Sequence, residues 1–271
     1  MKFLKGSELV EYISERQAKQ IRGLVQSKSI QPKLAIINTN PNHKPSQKYL
    51  ELKKARGEEL GITVDIHQIV ESVAEEKIKE LAKNKSVHGI ILQLPLEDPT
   101  LTDELTNLIP PEKDVDGLNK NSLVEPATVG AILWLLAGYN IDLKDKDILI
   151  IGQGKLVGLP LLKTLKDQNL SVKTLDETNS PEELKEFIQN SDIIITATGS
   201  PGLIKSEMIK DNQVIIDAGT SEDGGVLKGD LDPEVYNSKL DIKITPSIGG
   251  VGPLTISYLY ENLLHLIDKN S

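Results

Sequence analysis

The chain has 271 residues with no Cys, 2 Met, 2 Phe and 1 Trp, and its 40 acidic against 31 basic side chains give a formal net charge of −9. Without cysteine there is no disulfide scaffold, no thiolate-held zinc or iron–sulfur centre and no cysteine nucleophile, and the His at 43, 67, 88 and 265 never fall at paired ligand spacing, so no metal site is expected. A net-negative chain lacks the footprint of a phosphate-backbone binder, which argues against nucleic acid as a partner, and an aromatic content of 3% leaves an aliphatic core suited to buried parallel strands.

From the N-terminus, residues 6–28 set Leu9, Val10, Ile13 and Ile21 among Glu8, Glu11, Glu15 and Arg16, a helical period and no signal-peptide core. Apolar runs at 34–37, 64–66, 88–94, 147–151, 172–175, 192–196 and 214–217 predict strands. Helical patterns lie between them at 46–60, 74–84, 103–109, 129–138, 155–168 and 181–190, and a last one covers 254–267. Strand alternating with helix predicts an α/β chain, parallel sheet with helices on both faces. The turn-rich run from Pro110 to Pro126 and the glycines near 249–252 suggest two domains, 1–120 and 121–252. The segment 253–271 is too short for a domain and is expected to return to the first. No run approaches the ~18 apolar residues of a membrane helix, so a cytoplasmic protein without membrane contact is expected.

In the first domain, Ser46, Tyr49 and Lys53 open a helix, and Tyr49 and Lys53, four apart, share one face. A lysine partly buried beside a phenol moves toward neutrality and becomes an acid–base group. Alone, the pair equally fits a solvated face, since Lys48, Glu51, Lys54 and Arg56 surround it. Gln93 is a polar residue near the C-terminal end of an apolar strand, the edge where α/β sheets bind ligands; an amide bonded to a loop backbone is the plainer role. Asp114 and Asp116 begin like a calcium loop, but the glycine comes too early and no bidentate Glu follows. A buried carboxylate there would instead accept paired N–H donors from an amino-pyrimidinone.

In the second domain, the strand at 147–151 runs into Gly152-Gln153-Gly154-Lys155-Leu156-Val157-Gly158 and then an apolar helix. Glycines that let backbone approach a pyrophosphate, before a helix N-terminus, make a dinucleotide cradle, although the spacing also fits an ordinary tight turn. Later strands end in Thr198-Gly199-Ser200-Pro201-Gly202 and Asp217-Ala218-Gly219-Thr220, loops suited to a nucleotide. Asp176 and Glu177 follow Gly154 at the distance of a ribose-binding acid, and no Arg lies between Gly152 and Thr178. With Lys155 and Lys173 the nearby cations besides helix lysines, this favours NAD over NADP, while a solvated turn is the alternative. Gly249-Gly250-Val251-Gly252-Pro253 permits backbone contact with a ligand or serves as a hinge.

Taken together, Ser46-x-x-Tyr49-x-x-x-Lys53, Gly89 to Leu96, Pro111 to Gly117, Gly152 to Pro160 and Gly249 to Thr255 resemble, in order, the methylenetetrahydrofolate dehydrogenase/cyclohydrolase family. The resemblance implies a bifunctional enzyme that oxidises 5,10-methylenetetrahydrofolate with NAD or NADP and hydrolyses the methenyl product to 10-formyltetrahydrofolate, one-carbon chemistry feeding purine and amino-acid biosynthesis. It implies that Tyr49 stacks on folate and orients Lys53, that Lys53 is the acid–base group, that Gln93 bonds and tunes it, that Asp116 holds the pterin and that Ser46 supports the set. Gly250 to Pro253 would line a cleft between domains, and Gly152, Gly154 and Gly158 would bracket the pyrophosphate. A homodimer is implied as well, with the edge around Val214 to Asp230 expected to pair between subunits. Many relatives carry Arg-Ser where this chain has Gln153 and Gly154, His-Ser where it has Asp176-Glu177, and Pro-Cys-Thr-Pro where it has Pro126-Ala127-Thr128-Val129. The first two departures again favour NAD. A folate dehydrogenase without hydrolase activity, a related dehydrogenase of another small substrate, and a nucleotide-binding regulator without turnover are the competing readings.

Overall fold

A parallel strand covered on both faces is apolar throughout rather than alternating, and the Ile, Leu and Val runs of this chain fold in that way. The computed structural model describes residues 1–176, 178–223 and 226–270. In chain order the elements are β1 (Lys2–Phe3), α1 (Gly6–Lys28), β2 (Lys33–Asn38), α2 (Lys44–Leu60), β3 (Thr63–Gln68), α3 (Ala74–Lys83), β4 (Gly89–Leu92), α4 (Thr102–Leu108) and α5 (Ala127–Gly138). They continue with β5 (Ile148–Ile151), α6 (Gly158–Asp167), β6 (Val172–Leu175), α7 (Pro181–Gln189), β7 (Ile193–Thr196), β8 (Val214–Asp217), β9 (Ser221–Asp223), β10 (Val226–Lys228), β11 (Lys243–Ile244) and α8 (Val251–Asn270). Among the described residues no helix is long and apolar enough to cross a membrane.

Two compact units emerge, one of Glu11–Ala127 with Ile256–Ser271, the other of Met1–Val10 with Thr128–Thr255. The first unit holds a three-stranded sheet in the order β3-β2-β4, all parallel. Its central strand is buried on both faces: Leu34 and Ile36 pack with Leu50, Leu60 and Tyr260, while Ala35 and Ile37 pack with Ile78, Leu81 and Leu105. The C-terminal segment completes the former cluster with Leu259, Leu263, Leu264 and Ile267. Asn262 Nδ2 donates to the carbonyls of Val115 and Glu125, each at 2.9 Å, which ties α8 to the loop after β4.

The second unit is a six-stranded sheet in the order β1-β11-β8-β7-β5-β6, with every pairing parallel. The chain leaves β5 toward β6 on one side and returns to β7 on the other, and the C-terminal edge at such a reversal is where open α/β sheets take their ligands. Ile194, Leu149, Ile215 and Ile244 contribute to one core cluster with Leu184 and Ile188 of α7. That helix starts on a capping box, in which Ser180 Oγ accepts from Glu183 N and the Glu183 carboxylate accepts from Ser180 N.

Two expectations change. Residues 1–10 go with the six-stranded sheet rather than with the domain read as 1–120, because Lys2 pairs with Lys243 and Phe3 with Ile244; a two-residue strand carries no period to read. The helix expected over 155–168 starts at Gly158, the residues before it being spent on the turn out of β5. Within the span 214–230, β8 is interior to the six-stranded sheet, flanked by β11 and β7, while β9 and β10 form a separate antiparallel pair. The edge strands of the sheet are β1 and β6.

Candidate active site

Helix α2 places a lysine on its buried side. Its buried positions are Ser46, Leu50, Lys53, Gly57 and Leu60, a 3–4 spacing that runs up one face. Lys53 retains 7% exposure, so the solvated alternative is excluded for this residue. Lys53 Nζ donates to Gln93 Oε1 at 2.9 Å. Gln93 follows the last residue of β4, and its N–H still bonds Ile37 O at 2.8 Å, so the ladder fixes its backbone. Its Nε2 donates to Leu94 O at 2.8 Å, the carbonyl that also accepts from Ser46 Oγ at 3.1 Å. Tyr260 Oη, from α8, donates to Lys53 O. Tyr49 is half-buried against the same core cluster, one turn before Lys53.

Burial drives the Lys53 ammonium below the ordinary lysine range, and the negative charge of Asp116 pulls in the other direction. Asp116 is half-buried, and burial raises its carboxyl, Lys53 lowers it and Asp114 raises it again. Asp114 itself is 1% exposed and serves the backbone: Oδ1 accepts from Gly117 N at 3.1 Å and Oδ2 from Asn119 N at 2.9 Å. Burial raises its carboxyl against those bonds. Gly117 sits at φ 75°, and a Cβ there would lie 2.7 Å from Pro126 Cα, so the turn that aims Asp116 requires glycine. Ser46, Tyr49, Lys53, Gln93 and Asp116 therefore share one unit.

Sequence reasoning missed His43. Its Nδ1 lies 2.7 Å from Ser46 Oγ and accepts from Ser46 N at 3.3 Å, which caps α2 and continues the chain of contacts through Leu94 O to Gln93 and Lys53. The signal available was an imidazole just before Pro45 at a helix start, but histidine is not among the common capping residues.

In the second unit, Gly152 leaves β5 at φ 98°, and a Cβ would lie 2.6 Å from Ala197 O. A Cβ at Gly158 would fall 1.9 Å from Gly152 O, so the loop closes on itself only because α6 opens with glycine. Gly154 differs: its φ is not in the left-handed region and a Cβ would meet nothing within 4 Å. Gln153, Gly154 and Lys155 are exposed on this loop in front of the α6 N-terminus. This strand, tight turn and helix start form the cradle a pyrophosphate requires, with backbone accessible and the positive end of the helix dipole behind it, so the residues fit a dinucleotide.

Thr198, Gly199 and Gly219 lie in the loops after β7 and β8. Asp176 follows β6, and its Oδ1 accepts from Thr178 N at 2.9 Å and from Thr178 Oγ1. Those bonds hold its carboxyl below the usual range. Glu177 lies outside the described residues. Gly250 and Pro253 belong to the second unit at the start of α8, with Ser7 N donating to Gly249 O at 3.2 Å.

Two family models divide the chain between them: the tetrahydrofolate dehydrogenase/cyclohydrolase catalytic domain matches residues 4–116, and the NAD(P)-binding domain of the same family matches 126–271. The chain belongs to the tetrahydrofolate dehydrogenase/cyclohydrolase family. The bifunctional protein FolD of Lactobacillus acidophilus is 36% identical, with 100% of this chain and 98% of the relative covered. The crystal structure of the bifunctional FolD enzyme from Campylobacter jejuni superposes with a TM-score of 0.90 at 32% identity, covering both chains in full. The Trypanosoma brucei FolD, solved with NADP cofactor and an inhibitor, gives 0.90 at 26% identity over 99% of this chain and 97% of its own. As a member of this family the chain has a two-domain α/β architecture with an NAD(P)-binding domain.

Proposed function

We propose that the protein is a bifunctional one-carbon enzyme that oxidises 5,10-methylenetetrahydrofolate to 5,10-methenyltetrahydrofolate and hydrolyses the latter to 10-formyltetrahydrofolate. The observation that carries the reading is the buried Lys53 held by Gln93 and balanced by Asp116. A bound nicotinamide dinucleotide supplies the hydride acceptor. Loss of hydride from a carbon between two nitrogens leaves an amidinium stabilised by their lone pairs, so the protein needs chiefly to orient the folate. Tyr49 stacks on it, Asp116 accepts N–H donors of the pterin, and Ser46 supports Gln93 through Leu94 O, to which both donate. Hydrolysis needs proton transfer. Water adds to the amidinium carbon as its proton leaves, and the C–N bond to one ring nitrogen breaks as that nitrogen is protonated. Lys53, depressed toward neutrality, serves as base and then as acid. Gly152, Gln153, Gly154, Lys155, Gly158, Asp176, Thr198, Gly199 and Gly219 would contact the dinucleotide, and Gly250 and Pro253 the folate.

NAD is the favoured dinucleotide. Asp176 carries its charge at neutral pH, where it repels a 2′-phosphate, and Gln153 offers no guanidinium to hold one. We further read the protein as a cytoplasmic homodimer. Incubation with methylenetetrahydrofolate and either NAD or NADP tests the activity: reduced cofactor and methenyl product are expected, and neither product with either dinucleotide refutes it. The ratio of kcat/KM for NAD over NADP should fall in Asp176→Ser.

A further inference from the structure

Two carboxylates in the second unit take no part in the steps above. Asp230 is fully buried. Its Oδ2 accepts from Thr196 Oγ1 at 2.6 Å and from Thr198 N at 2.8 Å, and its Oδ1 from Ser200 N at 3.0 Å. Asp217 accepts at Oδ1 from Gly219 N at 2.9 Å and from Asp230 N at 3.1 Å, and at Oδ2 from Leu231 N at 3.1 Å. Each carboxylate also occupies the space beside a glycine of the other's loop. A Cβ at Gly219 would lie 2.1 Å from Asp230 Oδ1, and one at Gly229 would lie 2.1 Å from Asp217 Oδ2.

Such a pair is costly to build. Burial, then the charge of Asp230, push the Asp217 carboxyl up to about 6 against its three backbone donors. Two like charges at one buried place destabilise a fold unless donors satisfy them, and here five of the six donors are backbone N–H groups: Thr198 and Ser200 after β7, Gly219 after β8, and Asp230 and Leu231 after β10. The loops after β7 and β8 carry Thr198, Gly199 and Gly219, and the first begins at Ala197, whose carbonyl lies against Gly152 of the cradle.

We propose that Asp230 and Asp217 are positioning residues for the dinucleotide: a reciprocal carboxylate clasp that holds the loops after β7 and β8 in the shape that receives it. This rests on the assignment of that sheet edge to the cofactor. A carboxylate suits the task because both its oxygens accept, so one side chain fixes Thr198 N and Ser200 N together. An amide has one accepting oxygen and must present N–H groups to the other donor.

The test is made on the full chain, native and Asp230→Asn. Titration calorimetry with NAD+ and NADP+ gives binding without turnover, and kinetics give KM for dinucleotide and for folate. Dinucleotide Kd and KM should rise at least tenfold in Asp230→Asn, with folate KM within twofold, while the same preparation still hydrolyses methenyltetrahydrofolate. Unchanged dinucleotide Kd overturns the clasp, and so does a parallel loss of hydrolysis and oxidation at unchanged Kd. Should Asp230→Asn not fold, Thr196→Val decides, since it deletes one donor to Asp230: a rise in Kd of threefold or more supports the proposal and an unchanged Kd overturns it. Native protein that binds dinucleotide without turnover would refute the enzymatic reading and leave the calorimetric comparison standing.

Discussion

Lys53 is the residue at which burial and chemistry are most directly linked. Desolvation disfavours its ammonium while Asp116 favours it, and desolvation is the larger. The pH–kcat profile for hydrolysis should rise along a limb below the ordinary lysine range, and Lys53→Ala should abolish hydrolysis; unchanged hydrolysis would remove Lys53 from the mechanism. Asp116→Asn deletes the charge that retains the proton, so the limb should move to lower pH at saturating folate; a shift upward would reverse the assigned sign. Stability follows the same logic. Between the folded and unfolded values of this lysine the unfolded chain binds more protons, so the Lys53 contribution to stability increases as pH rises through that window. The Lys53–Asp116 pair was only half legible in sequence. Spacing puts Tyr49 and Lys53 on one face, but which face is inside depends on Leu50, Gly57 and Leu60 meeting a sheet and a C-terminal helix.

At the scale of elements, β2, β4, β5, β7 and β8 were legible because they are buried almost throughout and have no polar alternation to dilute the apolar run. The first strand and the Asp217–Asp230 clasp were not, since two residues have no period and the clasp joins loops rather than repeating within an element. The start of α2 shows the same limit. His43 supplies its side-chain acceptor, and Ser46 lies between that cap and the carbonyl that Gln93 shares. Loss of a capping side chain costs about 1 kcal/mol, a few degrees in Tm for a chain of this size. His43→Ala should therefore lower Tm by about that much, and His43→Asn, whose Oδ1 can accept from Ser46 N, should restore it. Equal melting of all three proteins would remove the cap from the account. A hydrolysis rate that falls in His43→Ala and returns in His43→Asn would extend the cap's effect to Lys53.

For the whole molecule, the proposed preference for NAD would have two electrostatic sources that differ in range. The net charge of −9 acts on any anionic ligand and weighs more on NADP, which carries the additional phosphate. Asp176, in the proposed role, would act at close range from the end of β6. Salt separates them, because at 0.1 M ionic strength charges more than about 10 Å apart are largely screened. Ligand binding to the folded chain raises its stability by mass action, about 2.7 kcal/mol at a hundred times Kd, so thermal shifts report affinity without turnover. At equal concentrations NAD+ should raise Tm more than NADP+, and the gap should persist as ionic strength increases if Asp176 sets it. In Asp176→Ser the gap should narrow. A gap that vanishes with salt in the native chain would assign the preference to net charge instead, and a larger shift with NADP+ would remove Asp176 as the discriminating residue.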